Sequence, residues 1–185
     1  MHTQLRKFEE YAYVLDFKSR GNSSTVRGRV GIIVTAIGED RLTLLEILGL
    51  ENSTFDVGER IYIGKEGRTK VQSVLGKIDY AKISDAAQSE IPGVVESIII
   101  KNEKRFVDYL NNAQSLTPRI HALELIPGIG KTHMHILIQE REKKPFESFS
   151  DIENRTRLKE PMKHISKRIL EEISGETRMN LFVKR

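Results

Sequence analysis

From Tyr11 to about Ile78 the apolar residues come in short runs, rich in β-branched and aromatic side chains and broken by Gly, Asn, Ser and Asp. That pattern predicts strands and turns, near Tyr11–Phe17, Val26–Ile37, Leu42–Leu48, Glu59–Gly64 and Thr69–Ile78. In the first of them the two-residue period places Tyr11, Tyr13, Leu15 and Phe17 on one face. Closing so short a sheet removes its aggregation-prone edges, so the expected form is a small OB-like five-stranded β-barrel. The first connection, Lys18 to Arg29, is small, polar and basic. It suits a flexible loop reaching toward phosphates, or simply a solvated one.

Between residues 84 and 113 the spacing becomes helical, with Val94, Val95, Ile98, Ile99, Phe106, Tyr109 and Leu110 recurring at three and four residues. One or two helices are predicted, their apolar stripe forming half of a core or, alternatively, a dimer interface. Pro92-Gly93 fits an N-terminal turn better than a helix interior, because proline lacks the N–H.

The chemistry-bearing stretch runs from Ser115 to Ile138. Thr117 can cap a helix with Pro118 at its first position, and Pro127 must end that helix. Gly128-Ile129-Gly130 then gives a tight turn in which the glycines accept positive φ, and a second helix starts at Lys131 or Thr132. The free N–H groups of Gly128, Ile129, Gly130, Lys131 and Thr132 would face one concavity suited to a phosphate, with Lys131 adding a mobile charge and Ile129 turned inward to fix the loop. This is the logic of a helix-hairpin-helix. Backbone donors reach phosphate rather than base edges, so the ligand expected is DNA or RNA, held with little sequence preference.

Beyond it, Pro145-Phe146 ends the second helix, Ser150-Asp151-Ile152-Glu153 reads as a capping box, and Met162, Ile165, Ile169 and Ile173 mark a last helix closed by Gly175. A second hairpin has Leu158-Lys159-Glu160-Pro161-Met162 where a Gly-x-Gly turn would stand, so a single phosphate site is expected, assisted by Arg155, Arg157, Lys159, Lys163, Lys167 and Arg168. The fold class is thus α+β: an OB-like barrel over 1–78, a helical connector over 79–114 and a helix-hairpin-helix domain over 115–185.

Charge sharpens this picture. Residues 116–185 carry 14 basic and 10 acidic side chains, whereas residues 1–115 balance at 16 and 16, so the whole net charge of +4 belongs to the last segment. Such a bias favours a polyanionic partner there. The absence of cysteine excludes disulfides and thiolate zinc sites. No run nears the roughly 18 apolar residues of a membrane span, and Met1-His2-Thr3-Gln4-Leu5-Arg6-Lys7-Phe8 lacks a signal stretch, so a cytoplasmic protein with no membrane contact is expected. No cofactor or metal is expected: His133 and His135 are two apart and share no helix face, and His121 stands alone. Catalysis is not expected either. The carboxylates are scattered rather than clustered for a nuclease, and Lys131 sits in the phosphate-facing slot of the turn rather than where a glycosylase would hold its lysine.

The segments Tyr11-Ala12-Tyr13-Val14-Leu15-Asp16, Gly58-Glu59-Arg60-Ile61-Tyr62-Ile63-Gly64-Lys65, Asn102-Glu103-Lys104-Arg105-Phe106-Val107 and His121 through Lys131 resemble the archaeal domain-of-unknown-function family 655 over nearly the whole chain. The resemblance implies an OB-like domain joined to a helix-hairpin-helix, a nucleic-acid role, and a link to translation or ribosomal RNA. The hairpin is also similar to that of DNA repair proteins, onto which Gly128, Ile129, Gly130 and Lys131 carry over. The rival reading is a protein-interaction adaptor, in which the barrel binds a partner of a ribosomal or repair complex. Stacking aromatics on a strand face, with Tyr11, Tyr13, Phe17 and Tyr62 as candidates, would favour single strands instead.

Overall fold

The computed structural model describes residues 8–185; the N-terminal stretch screened above for a signal lies, apart from Phe8, outside the described residues. Five strands form where the short apolar runs place them: β1 (Tyr11–Asn22), β2 (Val30–Gly38), β3 (Leu44–Gly49), β4 (Arg60–Tyr62) and β5 (Val71–Lys77). They pair antiparallel in the order β4-β1-β2-β3-β5, as a curled half-barrel sheet. β2 starts at Val30 rather than Val26, because residues 23–29 fold into a loop of their own.

The interior is packed by Ala12, Val14, Val34, Ala36, Leu45 and Ile47, with Phe55, Ile61, Ile63 and Val71. Phe17 packs against this cluster, which corrects the face assignment made from strict alternation. Pairing of β1 with β2 slips between Val14 and Asp16, so Leu15 is an extra residue. A bulge of this kind shifts the alternation by one, which moves Phe17 from the side of Tyr13 and Leu15 to the side of Ala12 and Val14. Its ring then lies 6.3 Å from that of Phe55. Tyr13 and Leu15 are buried as well, so this part of β1 is covered on both faces.

The helices are α1 (Asp85–Lys101), α2 (Glu103–Asn112), α3 (Lys131–Lys143), α4 (Phe149–Thr156) and α5 (Pro161–Ser174). Pro92 lies inside α1, not at its start. The buried Ile91, Val94, Val95, Ile98 and Ile99 outweigh the one hydrogen bond that proline forfeits. Helix α4 is capped by Ser148, whose Oγ accepts the Asp151 N–H at 2.9 Å, so Ser150 lies within the helix rather than at its cap. Gly175 at φ +82° follows α5.

The chain forms two compact units, one made of the segment up to Val94 together with Glu172–Arg185, the other of Val95–Glu171. The three segments read from the sequence group the chain differently, since the tail joins the sheet unit. Glu172, almost fully buried, accepts the N–H groups of Phe182 and Val183 at 2.9 and 3.0 Å, and Thr43 Oγ1 donates to the Lys184 carbonyl at 2.8 Å.

Candidate functional site

The second unit approaches the glycine turn by a route that differs from the expected helix. Ser115–Thr117 (β6) and Ile120–His121 (β7) form a two-stranded ribbon. Thr117 Oγ1 accepts the N–H groups of Arg119 and Ile120 at 3.3 and 3.1 Å, so it caps a tight turn, and the fixed φ of Pro118 serves that turn rather than a helix. Only a 3₁₀ helix, Ala122–Leu125, precedes Pro127. His121 Nδ1 accepts the Leu123 N–H at 3.1 Å while the Glu124 carboxylate accepts the His121 N–H at 2.8 Å. Burial and the nearby Arg141 cation push the His121 pKa below its usual value, in keeping with a ring nitrogen that must stay unprotonated to accept.

Gly128 turns the chain at φ +85°, and Ile129 points inward, 3% exposed. Burying a side chain of that size is worth about 1.5–3 kcal/mol, enough to hold the loop in one shape before any ligand arrives. Gly130 does not need the positive φ expected of it: it is extended (φ −80°, ψ −179°) at the N-cap of α3. With no side chain there, the first-turn N–H groups of α3 go uncapped, and a Cβ at Gly130 would meet nothing within 4 Å. Gly128, Gly130, Lys131 and Thr132 are all exposed. The Ile129 N–H, expected among the free donors, is instead spent on the Ile126 carbonyl at 3.0 Å, because the chain folds back on itself at Pro127-Gly128. The amides left at the positive end of the α3 dipole are those of Gly128, Gly130, Lys131 and Thr132, an arrangement that attracts anions.

A residue that no sequence motif marks closes this turn. His164, on α5, has Nδ1 2.9 Å from the Pro127 carbonyl oxygen and Nε2 3.1 Å from that of Lys159. The imidazole ties the glycine turn to the turn between α4 and α5, and a Cβ on Gly128 would collide with its ring. The Lys159 backbone is thereby held one imidazole away from that of Pro127, two residues after Arg157, which ends α4 in the left-handed conformation. This second turn also holds Glu160, whose N–H donates to the Glu153 carboxylate at 3.3 Å, so it lacks an open amide cradle of its own.

The cations of the expected site divide into two groups. Arg155 is committed internally: it donates to the carbonyls of Glu140 and Lys144, pairs with Asp151 at 3.1 Å and lies over the Phe146 ring at 4.6 Å. Lys163 pairs with Glu96 at 2.7 Å, and the buried Arg168 donates to the Leu125 carbonyl at 3.1 Å. Arg157, Lys159 and Lys167 are exposed, as is Lys131, with no ion pair among the described residues.

In the sheet unit the four candidate aromatics separate. Tyr13 and Phe17 belong to packed interiors, whereas Tyr11 and Tyr62 are half-buried, edge to face at 5.3 Å, with the Arg60 guanidinium 3.5 Å over the Tyr11 ring. Tyr62, Phe8, Leu45 and Val74 line an open cleft of about 730 Å³ with Lys65 and Lys77 among its cations. Among the described residues no group of three His, Cys, Asp or Glu is placed to hold a metal, and no helix is long and apolar enough to cross a membrane.

A family model described as a protein of unknown function (DUF655) matches residues 8–184. An uncharacterized protein of Methanocaldococcus jannaschii is 40% identical over 181 residues, covering 97% of this chain and 82% of that one. A crystal structure of a protein from Archaeoglobus fulgidus, assigned to the same family model, superposes with a TM-score of 0.83 at 40% identity, over 95% of this chain and all of that one.

Proposed function

The chain belongs to the DUF655 family of proteins of unknown function, and on that footing we propose that it is a non-catalytic nucleic-acid-binding protein. Its second unit grips the phosphate backbone through a helix-hairpin-helix of abbreviated form, in which a 3₁₀ helix stands for the first helix. The carrying observation is the exposed, uncapped helix start at Gly128, Gly130, Lys131 and Thr132, with Ile129 buried beneath it and His164 bound to the Pro127 carbonyl beside it. Arg157, Lys159 and Lys167 supply further charge, while Arg155 and Lys163 stay with their internal partners. Contact through backbone donors implies little preference for base sequence.

The strand order β4-β1-β2-β3-β5 supports an OB-like reading of the sheet, left open between β4 and β5. The apolar cleft lined from both of those strands favours, as a second role, an adaptor surface for a protein partner.

Fluorescence anisotropy of matched single- and double-stranded DNA and RNA oligonucleotides, titrated at several salt concentrations, tests the main reading. Gly130→Val, which fills the approach to the amides, is expected to abolish most binding. Lys131→Ala is expected to cost less and to lower the salt slope by about one phosphate's worth. Equal and negligible effects of the two would refute the hairpin as anchor, and no binding by the wild type would leave the adaptor role.

A further inference from the structure

The β1–β2 hairpin has a charge pattern that the turn in the second unit does not use. Between Phe17 and Gly38 stand four cations, Lys18, Arg20, Arg27 and Arg29, and no acidic residue. All four are exposed, and none has an acidic partner among the described residues.

A tip so rich in Ser and Gly would ordinarily sample many conformations. Here it is tied down. Glu46, 2% exposed in the middle of β3, accepts hydrogen bonds from Ser23 Oγ, from the Ser24 N–H at 3.0 Å, and from the Thr25 N–H and Oγ1 at 3.3 and 3.0 Å. Ser23 Oγ accepts in turn from the Val26 N–H at 2.8 Å, and the Ser23 N–H closes the base of the loop on the Arg29 carbonyl at 2.8 Å. Gly76 is the β5 partner of Glu46, so no side chain opposes the carboxylate from that strand.

Burying a carboxylate is costly unless donors converge on it. A loop that served only as a solvated connection would need no such anchor. What the anchor achieves is fixed presentation of Arg27 and Arg29 beside Val26 and Val30, which are themselves exposed. A pre-ordered cationic surface binds a polyanion without the ordering cost that a mobile loop incurs, and a charge-pure, planar-donor tip complements phosphodiesters rather than mixed-charge protein surfaces.

We propose that the tip of the β1–β2 hairpin, held by Glu46, is a second contact for the phosphodiester backbone, made through Arg20, Arg27 and Arg29. This rests on the reading of the ligand as nucleic acid but uses none of the residues of the glycine turn.

The experiment is anisotropy on the full chain with single- and double-stranded oligonucleotides over a range of salt, comparing wild type, Arg27→Ala with Arg29→Ala, Glu46→Gln and Gly130→Val. The double arginine variant is expected to bind roughly tenfold more weakly and with a log–log salt slope shallower by about two phosphates' worth. Glu46→Gln makes the protein one charge more positive, so a generic cationic surface would bind more tightly. The anchored tip predicts weaker binding, because an amide puts an NH2 group among donors. Ser23→Ala with Thr25→Ala, which trims the anchor at constant charge, should weaken binding likewise and covers the case in which Glu46→Gln fails to fold. A wild-type affinity and salt slope in the double arginine variant, or tighter binding by Glu46→Gln, would overturn the proposal. Loss in the arginine variant with none in Gly130→Val would uphold the tip and sink the hairpin; the reverse would sink the tip alone, and silence of the wild type would sink both.

Discussion

Gly128 and Gly130 stand two residues apart in one turn, yet alanine at each should behave differently. At Gly128, φ is +85° and a Cβ runs into the His164 ring. Holding alanine in the left-handed region costs about 1–2 kcal/mol. Displacing the imidazole also gives up its contacts to the Pro127 and Lys159 carbonyls, of which a neutral ring can donate to one and an imidazolium to both. One hydrogen bond is worth about 1 kcal/mol net, so Gly128→Ala should destabilise by about 2–4 kcal/mol in all. Gly130→Ala meets an allowed φ of −80° and open space. Only the weaker N-cap preference of alanine counts against it, about 1 kcal/mol or less. Urea titration followed by far-UV circular dichroism measures both. A double-mutant cycle separates the causes: His164→Ala removes the obstacle, so Gly128→Ala in that background should retain only its backbone cost. Equal destabilisation by the two glycine variants, or simple additivity in the cycle, would refute the reasoning.

Three other perturbations follow from the geometry. Burial alone would raise the Glu46 carboxyl, but the hydrogen bonds from Ser23, Ser24 and Thr25 outweigh it and hold the group below its ordinary value of 4.5. Its contribution to stability is therefore present above that value and lost as pH falls through the lower folded one; the urea midpoint should drop as pH falls below 4.5 in wild type, and less so in Glu46→Gln. Arg155→Ala should cost about 1–3 kcal/mol of stability, through lost bonds to the Glu140 and Lys144 carbonyls and lost packing on Phe146, while oligonucleotide affinity of the folded protein stays within about twofold. Loss of affinity at unchanged stability would place Arg155 on the ligand instead. Pro92→Ala, at an exposed position inside α1, restores a helix hydrogen bond and should raise the melting temperature; an unchanged or lower value would show that the helix is already broken there.

The five strands were legible because β-branched runs and turn residues act locally, within a few positions of one another. The bulge at Leu15 was not, since the slip is set by pairing with Ala36 and Thr35 across β2. The Pro127–Gly130 turn announced itself for the same local reason. The structure before it did not: Thr117-Pro118 suits a helix start and a tight turn equally well until its Oγ partners are known. Ser148 and Ser150 offer the same ambiguity at α4. Among the cations only distance decided. The partner of Lys163 lies 67 residues earlier, and the carbonyls held by Arg155 lie 11 and 15 residues away; of these ties only the Asp151–Arg155 pair, four residues apart on α4, follows a spacing rule. His164 and Glu46 carry no motif at all; each is defined by what converges on it.

The return of Glu172–Arg185 to the sheet unit sets an order of events during synthesis. The unit of Val95–Glu171 is continuous in the chain and can complete itself as soon as its last residue is made. The sheet unit begins first but finishes last, because the N–H groups of Phe182 and Val183 that Glu172 accepts belong to the last segment of that unit. At roughly 5–20 residues per second the strands wait several seconds for their final segment. Of the two units, the one translated earlier is thus the one whose folding is sealed later.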